Sequence, residues 1–372
     1  MLIVHIISSL NVGGAEINLV RLCLCDRANK HIVISLTNLG YFGKLLKANG
    51  VKVFSIQMNK NFSDIHKMYF LFKIIKRIGP DVVQTWMYHA DLIGGIIGKI
   101  AGVPKIFWNI RNGLIIKTKD NAFTFLIMKI CSLMSFYLPN AIVCNSRSGF
   151  EVHRSLGYKK EKLKIIENGF DFNYYKKNER YRKKIRKEFE SSDRNILFAM
   201  IARFDPCKDH SNLLSALSLF AKDNNNFKCL LVGEGTGYKN RYLTELIKSY
   251  SLENKLIQVG IRADIPALIN GLDILLLSSS SEGFPNVLVE AMACEVPCIA
   301  TDTGDSKYII GQDGWTVPIK KPLDFFYALC TAHNEFKNKK IWSLRKRKCR
   351  DSVYKRFEIN FMVNKYNKIW RA

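Results

Sequence analysis

Two glutamates eight residues apart, Glu282 and Glu290, bracket the segment Glu282-Gly283-Phe284-Pro285-Asn286-Val287-Leu288-Val289-Glu290. An apolar run, Ile274–Leu277, precedes it and reads as a buried strand. Pro285 suits the first turn of a helix. That leaves Glu282 in a loop at the strand's carboxyl end and sets Glu290 about a turn and a half inside the helix. Carboxylates so placed can meet separate hydroxyl groups of one long ligand. The N–H groups at the helix start can hold phosphate. Glu290 lies among apolar residues, where a carboxylate needs a partner or water, so a local capping role is the plainer alternative. Arg203 and Lys208 follow a second apolar run, Ile196–Ala202. A forked guanidinium and a mobile ammonium at one strand exit suit a diphosphate. The alternative is a surface turn built on Asp205-Pro206.

Glycine loops follow other strand-like runs. Gly13-Gly14 comes after the first of them, and Gly233-Glu234-Gly235-Thr236-Gly237 after Cys229–Gly233. Neither completes G-x-G-x-x-G, which disfavours a dehydrogenase. There is no Asp-x-Asp and no paired Cys/His spacing of a zinc site, so no metal is expected.

These residues need a frame, and the sequence supplies a rhythm. Apolar runs at Ile3–Ile7, His31–Leu36, Val51–Ile56, Val82–Thr85, Lys105–Trp108 and Ala141–Cys144 alternate with helix-period segments. The charged stretch 174–190 breaks the rhythm, which restarts at Ile196. Strands apolar throughout and alternating with helices predict parallel sheets covered on both faces. The fold class is α/β, with two doubly wound domains facing a cleft. Ligands of such sheets bind beyond the carboxyl ends of the strands.

The 57 Lys and Arg residues outnumber the 32 Asp and Glu, a formal +25. The excess sits in residues 1–190 and 337–372, with an acidic block between. Such a balance implies an anionic partner. The ten cysteines lie mostly in apolar stretches and read as reduced, in a cytoplasmic protein. The N-terminus reads as a buried strand rather than a signal peptide. Asn121–Leu138 is the run nearest to a spanning segment, and reads as a buried helix rather than one lying in a bilayer surface.

Taken together, the motifs resemble glycosyltransferase family 4, retaining enzymes of the GT-B fold. The resemblance rests on Glu282–Glu290 with Ala291-Met292-Ala293, Arg203 and Lys208, Gly233-Glu234-Gly235, Val259-Gly260-Ile261-Arg262, Gly13-Gly14-Ala15-Glu16 and Asn168-Gly169-Phe170-Asp171. It implies an acceptor-binding domain over 1–172, with a C-terminal helix of about 355–372 packing back on it. A nucleotide-sugar-binding domain would span 173–354. Arg203 and Lys208 would bind the donor diphosphate, Glu290 the ribose and Glu282 the donor sugar. Amides from Gly283 through Phe284, Pro285 and Asn286 to Val287 would hold phosphate and sugar. Gly233 belongs to the same donor site, backbone at Gly260–Arg262 would meet the base, and Gly13 and Gly14 would approach the phosphate. Where family members often carry a first-domain histidine, this chain has Arg111 or Asn112, which leaves His89 as the histidine at a strand end.

The implied reaction moves a hexose or N-acetylhexosamine from a UDP-linked sugar to a lipid-linked or oligosaccharide acceptor in capsule, O-antigen or lipopolysaccharide assembly. No cofactor and no nucleic acid are expected. An anionic membrane surface is the expected partner of the basic first domain, which places the enzyme at the inner face of the cytoplasmic membrane. The alternatives are a GT-B nucleotide-sugar epimerase, a basic nucleic-acid-binding protein and an inactive scaffold.

Overall fold

A computed structural model describes residues 1–59, 64–111 and 122–372. The chain divides into two units, Met1–Gly169 with Ile359–Ala372, and Phe170–Glu358.

Unit 1 runs β1(Leu2–Ile7), α1(Gly14–Cys25), β2(Lys30–Ser35), α2(Gly40–Ala48), β3(Lys52–Ser55), α3(Ile65–Ile78), β4(Val82–Trp86), α4(Tyr88–Ile100), β5(Lys105–Ile110), α5(Ala122–Met134), β6(Ala141–Cys144), α6(Arg147–Ser155) and β7(Leu163–Ile165). Its parallel sheet has the order β3-β2-β1-β4-β5-β6-β7. Successive residues of β1 alternate between faces, so Ile3 and Ile7 join one core and Val4 and Ile6 the other.

Unit 2 runs α7(Glu179–Glu188), β8(Ile196–Ile201), α8(His210–Ala221), β9(Phe227–Val232), α9(Arg241–Ser249), β10(Leu256–Gly260), α10(Ile265–Gly271), β11(Ile274–Leu277), α11(Asn286–Ala293), β12(Cys298–Thr301), α12(Ser306–Ile310), β13(Trp315–Val317), α13(Pro322–Lys337) and α14(Lys339–Phe357). Its sheet is also parallel, in the order β10-β9-β8-β11-β12-β13. In each sheet the order reverses between two central neighbours, β1 and β4 in unit 1 and β8 and β11 in unit 2. Those are the switch points at which such sheets bind ligands.

The last helix, α15(Ile359–Arg371), belongs to unit 1. Ile359, Met362, Val363, Tyr366 and Trp370 enter the core beside α1. Trp370 Nε1 donates to Gln84 Oε1 at 3.1 Å, and Asn109 Nδ2 donates to Tyr366 Oη at 2.5 Å. The single helix expected from about 355 is instead two, parted at Glu358, and the first of them stays with unit 2.

That division corrects the charge reading. Unit 1 holds 26 Lys and Arg against 9 Asp and Glu, whereas unit 2 holds 31 against 23. Most of the basic tail lies in α14, so the second unit is basic as well, and the first owes little of its +17 to the tail. Among the described residues, no helix is long and apolar enough to cross a membrane.

Buried histidines tie stability to pH. His153 Nδ1 lies 2.7 Å from Gly149 O and Nε2 2.8 Å from Tyr88 Oη. Burial pushes its imidazole down to about 4, and it does the same to His210 in unit 2. The fold holds both rings neutral while the unfolded chain protonates near pH 6.5. Stability is therefore complete above that pH and falls as the pH drops toward 4. At pH 5 each ring costs roughly 2 kcal/mol. Urea midpoints at pH 7 and pH 5 check this, and His153→Gln should remove that ring's share of the loss.

Candidate functional site

In unit 2 the chemistry collects at the carboxyl ends of β8 and β11, which are neighbours in the sheet. Lys208 leaves the β8 end and Glu282 the β11 end. Lys208 Nζ lies 2.5 Å from Glu282 Oε1, with the two side chains 18% and 11% exposed. Ser279 Oγ donates to the same oxygen at 2.6 Å. Ser278 Oγ donates to the carbonyls of Lys208 and Asp209, at 3.0 and 2.9 Å, and Ser280 N to Cys207 O at 2.8 Å, so the two loops are stitched together. Arg203 is mostly exposed, and its Nε lies 3.0 Å from Asp205 Oδ2. The turn alternative for Asp205 holds as well, because Oδ1 accepts from Cys207 N at 3.0 Å.

Helix α11 starts at Asn286, and Pro285, just outside the first turn rather than in it, makes no side-chain cap. Proline has no N–H, so it drops out of the amide set expected to hold phosphate. Phe284 contributes backbone only, since its ring is buried against Phe170 and Phe357, with centroids 6.4 and 5.4 Å away. Glu290 is buried on α11, where Oε1 accepts from Tyr175 Oη at 3.1 Å.

The Gly233 loop meets this edge from β9. Phe204 N donates to Glu234 O at 2.7 Å and Gly233 N to Gly260 O at 2.8 Å. A Cβ on Gly233 would lie 2.3 Å from Ala202 O, at φ +142, so only glycine lets the loop approach this closely. Arg262 is committed elsewhere. Its guanidinium grips Asp264 and Glu188 and lies over the Phe189 ring, which raises its pKa further. Its side chain anchors the loop to α7, and the backbone remains the part able to meet a base.

Sequence reasoning missed Ser279, Tyr175 and the loop after β12. Gly304 sits at φ +58, and a Cβ there would fall 2.5 Å from Gly283 O and 2.6 Å from Glu282 O. Asp305 N also donates to Gly283 O at 2.9 Å. This loop props the glutamate loop from behind. Gly304→Ala should cost about 1–3 kcal/mol through the strained φ and the clash. Because the displaced backbone carries Glu282, catalytic efficiency should fall at least ten-fold, as steady-state kinetics would show.

In unit 1, His89 is the second residue of α4 and lines a cavity of about 910 Å³ with Ser8, Ser9, Asn11, Asn38 and Gln57. Burial lowers its pKa. Met87, two residues earlier, takes a positive φ of 74° at the switch point, a strained turn that composition does not betray. Gly13 precedes α1 and Gly14 opens it; the Glu16 carboxylate folds back over Gly13, where a Cβ would meet Oε2 at 2.4 Å. Burial raises the Glu16 pKa, with Arg111 opposing. Arg111 itself is half-buried. It lies 4.8 Å over the Trp86 ring and bonds Asn168 Oδ1 and Tyr366 Oη, so it fastens α15 to the sheet. Asn112 lies outside the described residues.

One cluster has metal-ligand chemistry that spacing did not show. Atoms of His5, Cys23 and His31 lie within 4.8 Å of one another. Trp86 Nε1 donates to His5 Nδ1 at 3.2 Å, and an indole N–H can only donate. His5 therefore presents Nε2–H to His31 Nδ1, 2.9 Å away, and His31 Nε2–H goes to Asp26 Oδ2 at 3.2 Å. Both rings are spent in a hydrogen-bond chain, and the cluster does not fit a metal.

Two Rossmann-like sheets with their polar loops at the carboxyl edges define the fold class: the chain has the GT-B fold. Residues 12–174 match Glycosyltransferase Family 4 and residues 181–325 match Glycosyl transferases group 1. The chain belongs to this family and is a hexosyltransferase. It is 23% identical over 321 residues to the Escherichia coli UDP-Gal:alpha-D-GlcNAc-diphosphoundecaprenol alpha-1,3-galactosyltransferase, covering 82% of this chain and 79% of that protein. It is 27% identical over 300 residues to the Campylobacter jejuni N-acetylgalactosamine-N,N'-diacetylbacillosaminyl-diphospho-undecaprenol 4-alpha-N-acetylgalactosaminyltransferase, covering 79% and 78%. Among solved structures, Anabaena Alr3699/HepE in complex with UDP matches with a TM-score of 0.86 at 21% identity, covering 99% of both chains.

Proposed function

We propose that the enzyme transfers a hexose or N-acetylhexosamine from a UDP-linked sugar to a lipid-linked saccharide in bacterial surface polysaccharide assembly, at the inner face of the cytoplasmic membrane. The observation that carries this is the convergence of Lys208, Glu282 and the α11 start at the switch point of unit 2, with Glu290 on the same helix. The relatives that act on diphosphoundecaprenol-linked sugars, and the structural neighbour that binds UDP, support it.

Arg203 and Lys208 neutralise the departing diphosphate, and the α11 start adds its dipole. Glu290 receives the ribose hydroxyls and Glu282 those of the sugar. With Arg203 and Lys208 supplying positive charge, and no Asp-x-Asp in the sequence, no metal is needed at the phosphates. The bond from the anomeric carbon to the diphosphate oxygen breaks as the bond to the acceptor oxygen forms on the same face. The acceptor proton leaves on the departing phosphate, and configuration is retained. His89 and the hydroxyl- and amide-lined cavity of unit 1 take the acceptor.

Thermal-shift titration with UDP, GDP and ADP, without added metal, tests the donor site. UDP alone should stabilise, and stabilisation by another nucleotide overturns the base assignment. Transfer of labelled sugar from UDP-galactose, UDP-GlcNAc or UDP-GalNAc to a lipid-diphosphate-linked N-acetylhexosamine tests the reaction. Absence of product with every donor overturns it, and NMR of the product anomer decides retention.

A further inference from the structure

Unit 2 carries a second polar cavity, at the edge of its sheet opposite Lys208 and Glu282. It measures about 800 Å³ and lies among α7, α13 and α14. Asp273, just before β11, and Arg194, just before β8, are in its wall. The cavity therefore sits at the amino ends of the two strands whose carboxyl ends carry the glutamate and the lysine. The four residues of β11 put about 13 Å between the two edges. None of the residues assigned above to the donor site lines it.

Helix register builds one wall. Lys339, Trp342, Ser343, Lys346 and Arg347 stand at i, i+3, i+4, i+7 and i+8 of α14, which is a single face, and all of them line the cavity. Other cations of this helix are spent. Arg345 pairs with Glu335, Arg350 donates to the carbonyls of Phe172, Tyr175 and Ala293, and Arg356 to those of Tyr308 and Ile309. Lys339, Lys346 and Arg347 have no hydrogen bond or ion pair among the described residues, and neither do Lys337 and Arg194 in the same lining. The acids of the wall do not answer them. Glu179 and Glu295 lie 3.5 and 3.7 Å from Lys177, and Asp193 and Asp273 3.2 and 3.0 Å from Arg182. Seven cations against four acids leave the lining at a net +3. Lys346 is half-buried; burial, with Arg182 and Lys177 beside it, lowers its pKa against the opposing pull of Asp273 and Glu295. Like charges held together in a recess are relieved by an anion.

We propose that this cavity is a second anion site, separate from the donor site, and that it takes a sugar phosphate. Guanidinium and ammonium groups on several elements suit a phosphate. The apolar part of the lining is Phe336 and Trp342, which meet edge-on with centroids 5.6 Å apart. Trp342 is only 7% exposed, enough to touch the C–H edge of a sugar and too little to stack a base. A concave site of this volume fits a small molecule; a bilayer or a nucleic-acid strand needs its cations on an open surface. The occupant ties α7 to α13 and α14, so it stabilises unit 2. The site does not depend on the base or the sugar of the donor.

Calorimetric titration of the full chain with inorganic phosphate and with glucose 1-phosphate tests it, at constant ionic strength and with UDP present to fill the donor site. Both probes should bind saturably, the sugar phosphate at least ten-fold tighter, and both should raise the melting temperature. Lys346→Gln with Arg347→Gln should weaken both at least ten-fold, with the UDP shift and the melting temperature of the free protein unchanged. Arg194→Gln with Lys339→Gln should give the same loss from other parts of the lining, so the result does not hang on the middle of α14. No saturable binding of either probe, or undiminished binding by both double variants, overturns the proposal. Equal affinity for the two probes overturns the assignment of a sugar. Displacement of glucose 1-phosphate by phosphatidylglycerol vesicles or by a single-stranded oligonucleotide overturns the small ligand, because a lipid headgroup or a nucleic acid would then be the occupant.

Discussion

With the proposed UDP-linked donor, Lys208→Met should lower kcat/KM by about 10²–10³-fold, the loss that follows removal of one preorganised charge at a developing anion. The structure adds a second consequence. Lys208 Nζ is the cation paired with Glu282, and among the described residues Ser279 Oγ is that carboxylate's only other hydrogen-bond partner. Removing the lysine leaves a mostly buried carboxylate undercompensated, at a cost of about 1–3 kcal/mol. The double variant Lys208→Met/Glu282→Gln should regain that stability and none of the activity. On the proposed placement, with the nucleotide at Lys208 and the sugar at Glu282, Glu282→Gln alone should cut turnover far more than it weakens UDP binding. Kinetics together with urea melts separate these effects. A fully active Lys208→Met enzyme would remove the lysine from the phosphate site.

The two residues of that pair are far apart in the chain, and no spacing rule joins them. What sequence offered was their placement, each just past an apolar run. The pairing comes from sheet order, because β8 and β11 are neighbours across the reversal. Interior strands were legible because they are apolar on both faces. The edge strands β7 and β13 were not, being three residues each and only partly buried. Gly304 and Ser279 gave no signal, because what they do is support a loop whose position depends on β12. Arg111 was legible as a charge at a strand end, but its contact with Tyr366 of α15 depends on where the last helix lands. The charge blocks misled for a similar reason: a basic segment's place in the chain does not tell which unit its helix packs on.

The largest expected loss of stability lies at the other edge of the same sheet. Helix α7 is so charged that Ile185 and Arg186 are its only buried residues. One apolar side chain cannot hold ten residues against a domain, so the fastening is ionic. Asp273, just before β11 and 2% exposed, receives Arg182 Nη2 at 3.0 Å, Arg186 Nη1 at 2.8 Å and Leu197 N at 2.9 Å. Arg186 Nη1 and Nη2 also donate to the carbonyls of Gly271, Ser192 and Asn195, while Nε lies 3.4 Å from the carboxylate of Asp193, which is 85% exposed. Asp273→Ala strips the one carboxylate buried with both guanidinium groups. Breaking a buried pair by removing one partner costs about 3–5 kcal/mol, because the other charge stays behind without compensation. Urea unfolding followed at Trp315 and Trp342 should show that loss, and limited trypsin digestion should cut within 180–187 faster than in the parent. Below its melting temperature the variant should still bind UDP, because the carboxyl edge is built by other loops. If α7 stays protected and the urea midpoint does not move, the ion pairs are ornament, and the fit of Ile185 against Gly271 is what holds the helix.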